Sequence, residues 1–296
     1  MKKILLTGKN GQVGWELQRT LAPLGQVIAL DSAELDLADA DAIRRKVREI
    51  QPHIIVNPAA YTAVDKAETE LDLAMSINAV APGIFAEEAK KLNALFVHYS
   101  TDYVFDGKKS EAYAEDDAPN PLGVYGKTKL EGERAIRAVG GNHLILRTSW
   151  VYGARGKNFL LTMLRLARER SELRIVDDQI GAPTWCRSLG EITAQMLAQL
   201  YAPGVGSDAV TQASGTYHLT SAGHVSWHGF AAEIIRLADI QPAPNLVAIP
   251  SREYPTPAVR PMNSVLSNDK LARTFGLQAG SWQDNLQMCM QEKGSR

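Results

Sequence analysis

The stretch KKILLTGKNGQVGWEL, residues 2–17, decides the fold of this chain. KKILLT is typical of a buried strand, and QVGWELQRTLAPLG carries apolar residues at helical spacing as far as Leu21. Gly8, Gly11 and Gly14 lie between these two elements. Glycines in such a place let the chain turn tightly and let an anion approach the backbone, while the helix N-terminus directs N–H groups at a pyrophosphate. The stretch therefore predicts a nucleotide-binding loop.

The glycine spacing is GxxGxxG rather than the GxGxxG of the usual dinucleotide fingerprint, and three glycines in a turn can also serve packing alone. The context favours a nucleotide site, because the second strand, QVIALD, ends at Asp31, where a carboxylate would meet a ribose 2′-hydroxyl. The alternative is that Asp31 only caps a loop. A carboxylate there repels a 2′-phosphate, and no arginine follows it immediately. We therefore expect NADH to be used at least as readily as NADPH.

Strands and helices alternate through the first half of the chain. After the first two strands come a helix from Asp39 to Ile50, the strand HIIVN, a helical region over about 71–92, the strand ALFVHYS, a helix that opens near Val124 and the strand HLILRTS. Alternation of this kind predicts an α/β fold, a Rossmann-type doubly wound parallel sheet with helices on both faces.

The alternation weakens after Trp150. We predict an NAD(P)-binding Rossmann domain at 1–150 and a smaller C-terminal, mainly substrate-binding domain at 151–296, with some segments of about 173–220 returning to the first domain. Six prolines fall within residues 242–261, and apolar residues are interspersed among them. This composition is compatible with a disordered linker, but the apolar residues favour an ordered, irregular lid over the site.

Composition excludes several classes of protein. The chain has 296 residues, 45% of them hydrophobic and 22% charged, with a formal net charge of -1, which describes an ordinary globular protein without a basic bias for nucleic acid. The apolar run after Lys3 stops at Thr7, too short for a secretory signal, and no stretch approaches the roughly 18 apolar residues of a membrane helix. Cys186 and Cys289 suit a reduced, cytoplasmic setting.

The sequence VYGKTK, residues 124–129, sets a tyrosine and a lysine four positions apart. In a helix that begins near Val124, Tyr125 and Lys129 share one face. A free phenol has a pKa of about 10, and a nearby cation lowers that pKa, so the pair can exchange a proton with an alcohol or ketone. An isolated match of this kind is more often a half-buried tyrosine beside a solvated lysine.

The segment HYSTDYVFDG, residues 98–107, changes that balance. It ends the fourth predicted strand, and ligands of open parallel sheets bind beyond the carboxyl ends of the strands. Ser100 and Thr101 lie there, with hydroxyls able to hold a substrate oxygen. A hydroxyl, a tyrosine and a lysine that follow a nucleotide-binding loop in this order predict a hydride-transfer site.

In this order of motifs the chain resembles the extended short-chain dehydrogenases/reductases, and within them the dTDP-4-dehydrorhamnose reductase family. The similarity runs through nearly the whole chain, in the segments GKNGQVGWEL, VNPAAYTAVDKAE, HYSTDYVFDG, YGKTKLEGE, LRTSWVYG, DQIGAPT and YPTPAVRPMNS. The resemblance implies reduction of the 4-keto group of dTDP-4-dehydro-L-rhamnose to dTDP-L-rhamnose by NADPH or NADH, in the supply of sugar for bacterial surface polysaccharide such as lipopolysaccharide.

The resemblance also implies roles for single residues. Tyr125 would donate the proton, Lys129 would position the nicotinamide ribose and lower the pKa of the tyrosine, and Thr101 would tune the proton transfer. Thr101, Asp102, Trp150 and Arg260 would meet the dTDP-sugar, with core filling as the alternative for Trp150 and a surface role as the alternative for Arg260. The implied cofactor contacts are Gly8, Gly11, Gln12, Val13, Gly14, Asp31, Asp36, Leu37, Ala60, Tyr61, Thr62, Tyr99, Tyr125 and Lys129.

Proteins with three other functions share the fold of the extended short-chain dehydrogenases/reductases. Related sugar-nucleotide 4,6-dehydratases carry an Asp-Glu pair after the threonine, whereas here Asp102 is followed by Tyr103, so dehydration is disfavoured. A 4-epimerase would keep the tyrosine and the lysine, and only the resemblance argues against it. A non-catalytic regulator, such as the similar β subunit of methionine adenosyltransferase, is disfavoured by the intact Thr101, Tyr125 and Lys129.

Metal binding is doubtful on the sequence. Family members described as magnesium-bridged dimers carry acidic groups near the first helix, after GAPT and near the C-terminus. Glu16 matches the first, but Arg187 and Ser281 stand at the other two positions by motif, so both Mg²⁺ and that dimer are in doubt, and a monomer or a homodimer remains open. His224 and His228 have the i, i+4 spacing of a zinc pair without a third ligand, and helix entry explains them better.

Overall fold

A six-stranded parallel sheet lies at the centre of the chain in this computed structural model, which describes residues 1–206 and 208–294. The strands of the described residues are β1 (Lys3–Leu6), β2 (Gln26–Ala29), β3 (Ile54–Asn57), β4 (Leu95–Thr101), β5 (His143–Thr148), β6 (Val151–Tyr152), β7 (Glu172–Val176), β8 (Ile180–Gly181), β9 (Thr184–Trp185), β10 (Gly215–His218), β11 (Val225–Ser226) and β12 (Asn245–Ile249). The order in the central sheet is β10-β5-β4-β3-β1-β2, and every pairing in it is parallel.

Helices cover both faces of this sheet. They are α1 (Gln12–Leu21), α2 (Ala40–Ile50), α3 (Val64–Ala67), α4 (Leu71–Met75), α5 (Ala81–Lys91), α6 (Val124–Val139), α7 (Phe159–Glu169), α8 (Cys186–Leu200), α9 (Ala209–Gln212), α10 (Trp227–Ala238), α11 (Asp269–Phe275) and α12 (Trp282–Gly294). None of the helices within residues 1–206 and 208–294 is long and apolar enough to cross a membrane. The predicted Rossmann-type sheet is confirmed.

Alternation of side chains along the strands builds two apolar layers. In β1, Ile4 and Leu6 face one layer, which α1, α8 and α11 complete, whereas Leu5 faces the other layer, formed with α2, α5 and α6. The same alternation holds in β4, where Leu95 and Val97 share the first layer. Strands buried on both faces read as continuous apolar runs, which explains why these segments were recognisable in the sequence.

The helical region predicted over 71–92 is divided into three parts. Between α4 and α5 lies a π-helical turn, Ser76–Val80. Its Asn78 is buried, and the side chain accepts a hydrogen bond from the Tyr61 backbone N–H at 2.9 Å and donates one to the Tyr61 carbonyl at 3.0 Å. The turn therefore ties the loop after β3 to the helical layer, and π-turns of this kind occur often beside functional sites.

The second half of the chain returns in part to the central sheet. Strand β10 extends the sheet beside β5, and α8 packs against α1. The rest of this half forms an apolar cluster of its own from α7, α10, α12, β7 and β12. We keep the boundary near residue 150 as a proposal, with α8 and β10 assigned to the Rossmann domain.

The proline-rich segment 242–261 contains regular structure. Residues Asn245–Ile249 form β12, which pairs in parallel with β7, and a short 3₁₀ turn covers Ser251–Glu253. The sequence did not predict this strand, because prolines flank it on both sides and mask its apolar pattern.

Candidate active site

The glycine-rich loop joins β1 to α1 at the carboxyl end of the sheet. Gly8 has a φ of +63°, a conformation that a residue with a side chain adopts at a cost. A Cβ on Gly14 would lie 2.0 Å from the Gly8 carbonyl oxygen, so the helix start packs directly on the turn. Gly11 precedes the first helical residue, Gln12. The first N–H groups of α1 therefore point out of a bare backbone cradle, which fits a pyrophosphate.

Two neighbouring cavities open on this loop and share part of their walls. The smaller, of about 270 Å³, contains Asp31, Asp36 and Leu37 in its wall. The larger, of about 470 Å³, is the one that contains the predicted catalytic pair. Predicted residues in the wall of the larger cavity are Gly8, Gly11, Gln12, Val13, Gly14, Ala60, Thr62, Tyr99, Tyr125 and Lys129. The structure thus brings most of the predicted cofactor residues to the walls of two adjoining cavities.

Asp31 lies in a polar cluster at the end of the smaller cavity. Its carboxylate accepts hydrogen bonds from the Ala33 N–H at 3.0 Å and from the Asn10 amide at 3.0 Å. Lys9 Nζ is 3.6 Å from Asp31 and 2.5 Å from Glu34. Sequence reasoning looked for an arginine after Asp31 and missed this lysine, which comes from the glycine-rich loop on the neighbouring strand.

Tyr61 is the predicted cofactor residue that lies outside both cavity walls. Its hydroxyl donates a hydrogen bond to Glu70 at 2.5 Å. That bond, together with burial and the charge of Glu70, raises the pKa of Tyr61 to about 12. Within the described residues, the backbone of Tyr61 rather than its ring is what the π-turn at Asn78 holds in place.

Tyr125 stands in the first turn of α6, partly buried, with its ring edge-on to Tyr103 at a centroid distance of 5.9 Å. Burial raises the pKa of Tyr125 to about 12, the Thr101 hydroxyl lowers it, and the Asp102 carboxylate raises it. The phenol is therefore protonated at neutral pH. The sequence predicted that Lys129 lowers this pKa, and that prediction is wrong for the protein without its cofactor, because burial raises the pKa and Lys129 is not among the groups that shift it.

Lys129 lies one helical turn after Tyr125 and is 1% exposed. Its Nζ donates to the Tyr99 carbonyl at 2.6 Å and is 3.2 Å from His98 Nε2. Burial lowers the pKa of Lys129 to about 7, and the charge of Glu133 opposes that shift. The sequence spacing placed the lysine on the correct face, but its partners come from β4.

Ser100 and Thr101 end strand β4, Asp102 begins the 3₁₀ turn that follows it, and all three are buried. The Ser100 hydroxyl donates to Glu133 at 2.6 Å, so it is turned away from the role of holding a substrate oxygen. The Thr101 hydroxyl donates to Asp102 Oδ1 at 2.9 Å. Burial raises the pKa of Asp102 to about 7, and its Oδ2 has no partner within hydrogen-bond distance among the described residues.

A third cavity, of about 700 Å³, lies in the second half of the chain, and Arg260 is in its wall. The Arg260 guanidinium donates to Asp65 at 2.9 Å. Burial lowers the pKa of Arg260, but the bond to Asp65 and the nearby Tyr103 outweigh burial and raise it. Because Tyr103 contacts Tyr125, the cavity is one aromatic ring away from the phenol. Its wall also contains residues that were not predicted as site residues, although two of them, Gln179 and Tyr254, lie in the segments DQIGAPT and YPTPAVRPMNS. The others are Phe159, Arg170, Arg174 and Trp227.

Trp150 is held by stacking rather than by a cavity wall. Its ring lies parallel to that of Trp227, with centroids 3.5 Å apart, and Trp227 lines the third cavity. Trp150 has a φ of +45°, which is unusual for a bulky residue and marks local strain. A Cβ on Gly181 would lie 2.5 Å from the Trp150 indole, so this glycine leaves room for the ring.

The acidic residues near α1 differ from those that the motifs suggested. Burial raises the pKa of Glu16, and the charge of the nearby Glu292 adds to that rise. Arg19 lies 3.5 Å from both Glu16 and Glu191. Arg187 in turn pairs with both Glu191 and Glu292. The sequence did not predict Glu191 and Glu292 as neighbours of Glu16. Glu191 lies one turn of α8 beyond the position that the GAPT motif marks, and Glu292 lies on a later turn of α12 than Trp282.

No group of three or more His, Cys, Asp or Glu side chains within residues 1–206 and 208–294 has the arrangement of a metal site. Arg19 and Arg187 are ion-paired with the carboxylates of Glu16, Glu191 and Glu292, and the charge of the two arginines repels a cation. His228, at the start of α10, lies 3.8 Å from Asp177. Ser226 caps that helix by accepting a hydrogen bond from the Gly229 N–H.

Comparison of the amino-acid sequence with known proteins gives one consistent result. The family model described as the RmlD substrate binding domain matches residues 1–294. A dTDP-4-dehydrorhamnose reductase of Burkholderia thailandensis is 50% identical over 296 residues, with 98% of each chain covered. One from Escherichia coli K12 is 46% identical over 298 residues, with 98% of this chain and 97% of that protein covered.

Solved structures agree with the sequence comparison. A dTDP-4-dehydrorhamnose reductase from Bacillus anthracis in complex with NADP is 37% identical, with a TM-score of 0.89 over 98% of this chain and 99% of that one. A Clostridium acetobutylicum protein of the same name has a TM-score of 0.90 at 39% identity, over the same shares of the two chains. A Thermus thermophilus UDP-glucose 4-epimerase in complex with NAD, 18% identical with a TM-score of 0.80 over 99% of each chain, shares the fold.

Proposed function

The chain belongs to the family of dTDP-4-dehydrorhamnose reductases, and we propose that Tyr125 is the proton donor of its reaction. The enzyme reduces the 4-keto group of dTDP-4-dehydro-6-deoxy-L-mannose to give dTDP-L-rhamnose, in dTDP-rhamnose biosynthesis. The observation that carries the proposed role is that Tyr125 and Lys129 share a cavity wall with the glycine-rich loop. A proton donor and a nucleotide cradle thus meet in one cleft.

The bound dinucleotide, NADPH or NADH, supplies the hydride. Gly11, Gln12 and Val13 would hold its pyrophosphate with backbone N–H groups, Asp31 would accept from the ribose hydroxyls, and Lys129 would donate to the second ribose. The fit is supported by the bare cradle at Gly14, where a Cβ would fill the space, and by the buried ammonium in the cavity wall.

Tyr125 gives its proton to the carbonyl oxygen as the carbon receives the hydride, which leaves a phenolate. The high pKa of this phenol keeps the proton in place at neutral pH until the substrate oxygen becomes basic. The Thr101 hydroxyl lowers the pKa of Tyr125, and it stabilises the phenolate when its proton turns from Asp102 Oδ1 to the phenolate oxygen. Asp102 Oδ2 is buried beside Ser264 and makes no hydrogen bond within the distance limit in the described part of the chain. We propose that a sugar hydroxyl satisfies this acceptor when the substrate enters.

The nucleotide half of the substrate would lie in the third cavity, whose volume of about 700 Å³ falls in the range of small-molecule sites. Arg260 supplies a guanidinium for the diphosphate from the side nearest Tyr103. Trp150 then acts through its stack on Trp227, which faces the cavity.

We propose a cytoplasmic enzyme. Cys186 and Cys289 are both buried, and no disulfide appears within residues 1–206 and 208–294, as expected in a reducing compartment. The proposed partner is the dTDP-sugar alone, with the protein as a monomer or a homodimer.

The function is tested by following NADH oxidation with enzymatically generated dTDP-4-dehydro-L-rhamnose, with and without EDTA. We expect rapid oxidation and no loss of rate with EDTA, because arginines neutralise the carboxylates around Glu16. UDP-glucose serves as the epimerase control and should give no UDP-galactose. Absence of turnover with the keto sugar would overturn the function, and a loss of rate in EDTA would contradict our view of the metal.

Lys9 is expected to decide how well NADPH competes with NADH. Its ammonium lies between Asp31 and Glu34, where it can move toward a 2′-phosphate and offset the repulsion by Asp31. Lys9→Ala should lower kcat/KM for NADPH by about fivefold, the size of an exposed charge pair, and leave that for NADH nearly unchanged. NADH should remain at least as good as NADPH in the unaltered enzyme.

The matched control for Lys9 is Lys46→Ala, which removes an exposed lysine paired with Glu49 on α2. That change should leave both cofactors unaffected. If Lys9→Ala lowered kcat/KM equally with NADH and NADPH, the lysine would have no part in discrimination.

A further inference from the structure

A row of buried polar side chains crosses the sheet and ends at Lys129, which is in the wall of the larger cavity. Its members are Thr7 after β1, Asn57 in β3, His98 in β4 and Lys129 in α6, and each is at most 2% exposed. Two neighbouring strands, the residue after a third strand and one helix therefore each contribute one side chain. Polar groups so deeply buried destabilise the fold unless they form hydrogen bonds, so each member of the row needs a hydrogen-bond partner.

The members of the row contact each other in sequence. Thr7 Oγ1 is 2.5 Å from Asn57 Oδ1, Asn57 Nδ2 is 3.2 Å from His98 Nδ1, and His98 Nε2 is 3.2 Å from Lys129 Nζ. A hydroxyl and an amide can each present a donor or an acceptor. A half-turn of the Asn57 amide exchanges its oxygen and nitrogen, so that the oxygen accepts from His98 Nδ1–H and the nitrogen donates to Thr7 Oγ1. In that orientation the row holds a neutral His98 whose proton is on Nδ1 and whose Nε2 accepts from the ammonium.

The other neighbours of Lys129 leave His98 with a specific task. The Tyr99 carbonyl accepts one hydrogen bond from the ammonium at 2.6 Å. Glu133, one turn further along α6, is already used by Ser100 at 2.6 Å, by Arg147 at 2.7 and 2.8 Å and by Arg137 at 3.2 Å. His98 is therefore the side chain that holds the lysine head group directly.

We infer that His98, backed by Asn57, is a positioning residue that keeps the Lys129 ammonium charged and directed into the cofactor cavity. This inference rests on the proposed role of Lys129 as a donor to the cofactor ribose. A lysine has four rotatable methylenes, and two acceptors anchored in β4 select one direction for its third N–H. His98 itself does not carry a charge, because burial and the charge of Lys129 lower its pKa well below the usual range.

The charged and titratable groups around Lys129 determine the sign of the effect. They are Tyr125 and Glu133 on its own helix, His98 on β4 and Arg147 on β5, the last of which is paired with Glu133. Loss of the His98 acceptor destabilises the ammonium, so the pKa of Lys129 falls. A function that needs charged Lys129 is lost as pH rises through that pKa, and the loss then begins at lower pH.

The test measures the NADH dissociation constant by fluorescence between pH 5.5 and 9, a readout that needs no sugar substrate. In the unaltered protein, affinity should decline above about pH 7, where burial places the pKa of Lys129. His98→Leu should move this decline to lower pH by roughly one unit, since a hydrogen bond to a charged group is worth about a factor of ten or more. His98→Gln, whose amide oxygen can replace Nε2, should restore the original profile.

The matched control is His218→Leu, which removes another fully buried histidine whose Nε2 is 3.4 Å from a cation, Arg147, at the neighbouring strand. It should lower the melting temperature without moving the pH profile of NADH binding. If His98→Leu does not fold, His98→Asn replaces it, because asparagine retains a polar group but cannot reach Nζ. A pH profile equal to that of the unaltered protein in whichever of these two variants folds would overturn the inference.

The outcomes separate this inference from the proposed function. If the enzyme failed to reduce the keto sugar while NADH binding still shifted in His98→Leu, the function would be wrong and the positioning role would stand. If the enzyme reduced the keto sugar normally while the pH profile of NADH binding in His98→Leu did not shift, the function would stand and the positioning role would be wrong.

Discussion

Tyr125→Phe is expected to lower kcat by roughly 10²–10⁴-fold, the usual contribution of a positioned general acid. The change removes one oxygen, and it leaves the ring against Tyr103 in place. The dissociation constant for NADH should stay within about twofold, because the glycine-rich loop and Lys129 are untouched. Stopped-flow reduction of dTDP-4-dehydro-L-rhamnose and fluorescence titration of NADH measure the two quantities separately.

Tyr201→Phe is the matched control for Tyr125. Burial also raises the pKa of the Tyr201 phenol to about 12, but Tyr201 follows α8 and lies outside the walls of the three cavities described above. Its replacement should leave kcat unchanged. Activity of Tyr125→Phe near that of the unaltered enzyme would remove Tyr125 from the mechanism.

Glu133→Gln is expected to have the largest effect on stability, a loss of about 3–5 kcal/mol in the free energy of unfolding. Glu133 is 0% exposed and accepts two hydrogen bonds from Arg147, which is 2% exposed. The glutamine cannot balance that buried guanidinium, and the remaining charge is left without compensation. Urea unfolding followed by circular dichroism measures the loss.

The pH dependence of this loss has a definite sign. Burial raises the pKa of Glu133, but the hydrogen bonds and charge of Arg147 outweigh that effect, so the net pKa is lowered. The pair therefore stabilises the fold above the pKa of an unfolded glutamate, about 4.3, and loses its contribution as pH falls through the folded pKa. The difference between the two proteins should be full at pH 7 and should narrow in acid.

Glu131→Gln provides the comparison on the same helix. Glu131 pairs with Arg134 at 2.5 Å, but both side chains are largely exposed, at 44% and 59%. Exposed pairs of this kind contribute little, so unfolding should barely change. Equal losses in Glu131→Gln and Glu133→Gln would show that burial of the Arg147 pair is not what stabilises this region.

The first five strands of the central sheet, the glycine-rich loop and the placement of Tyr125 and Lys129 on one helical face were predictable from the sequence. These features depend on neighbours within about one helical turn or one strand, so periodicity and glycine spacing are sufficient to predict them. Beyond these, the family resemblance supplied the substrate and the implied roles of single residues. The comparisons with known proteins then established the family.

The partners of those residues were decided only by the tertiary structure. Lys129 meets His98 because α6 lies across β4, Lys9 meets Asp31 because β1 and β2 are adjacent, and the ring of Trp150 is covered by that of Trp227. Glu131 and Glu133 differ by only two positions in the chain, yet one is solvated and the other is buried beneath the active site. Strand register and helix packing bring distant residues together and set their burial, and burial determines the pKa values on which the chemistry depends.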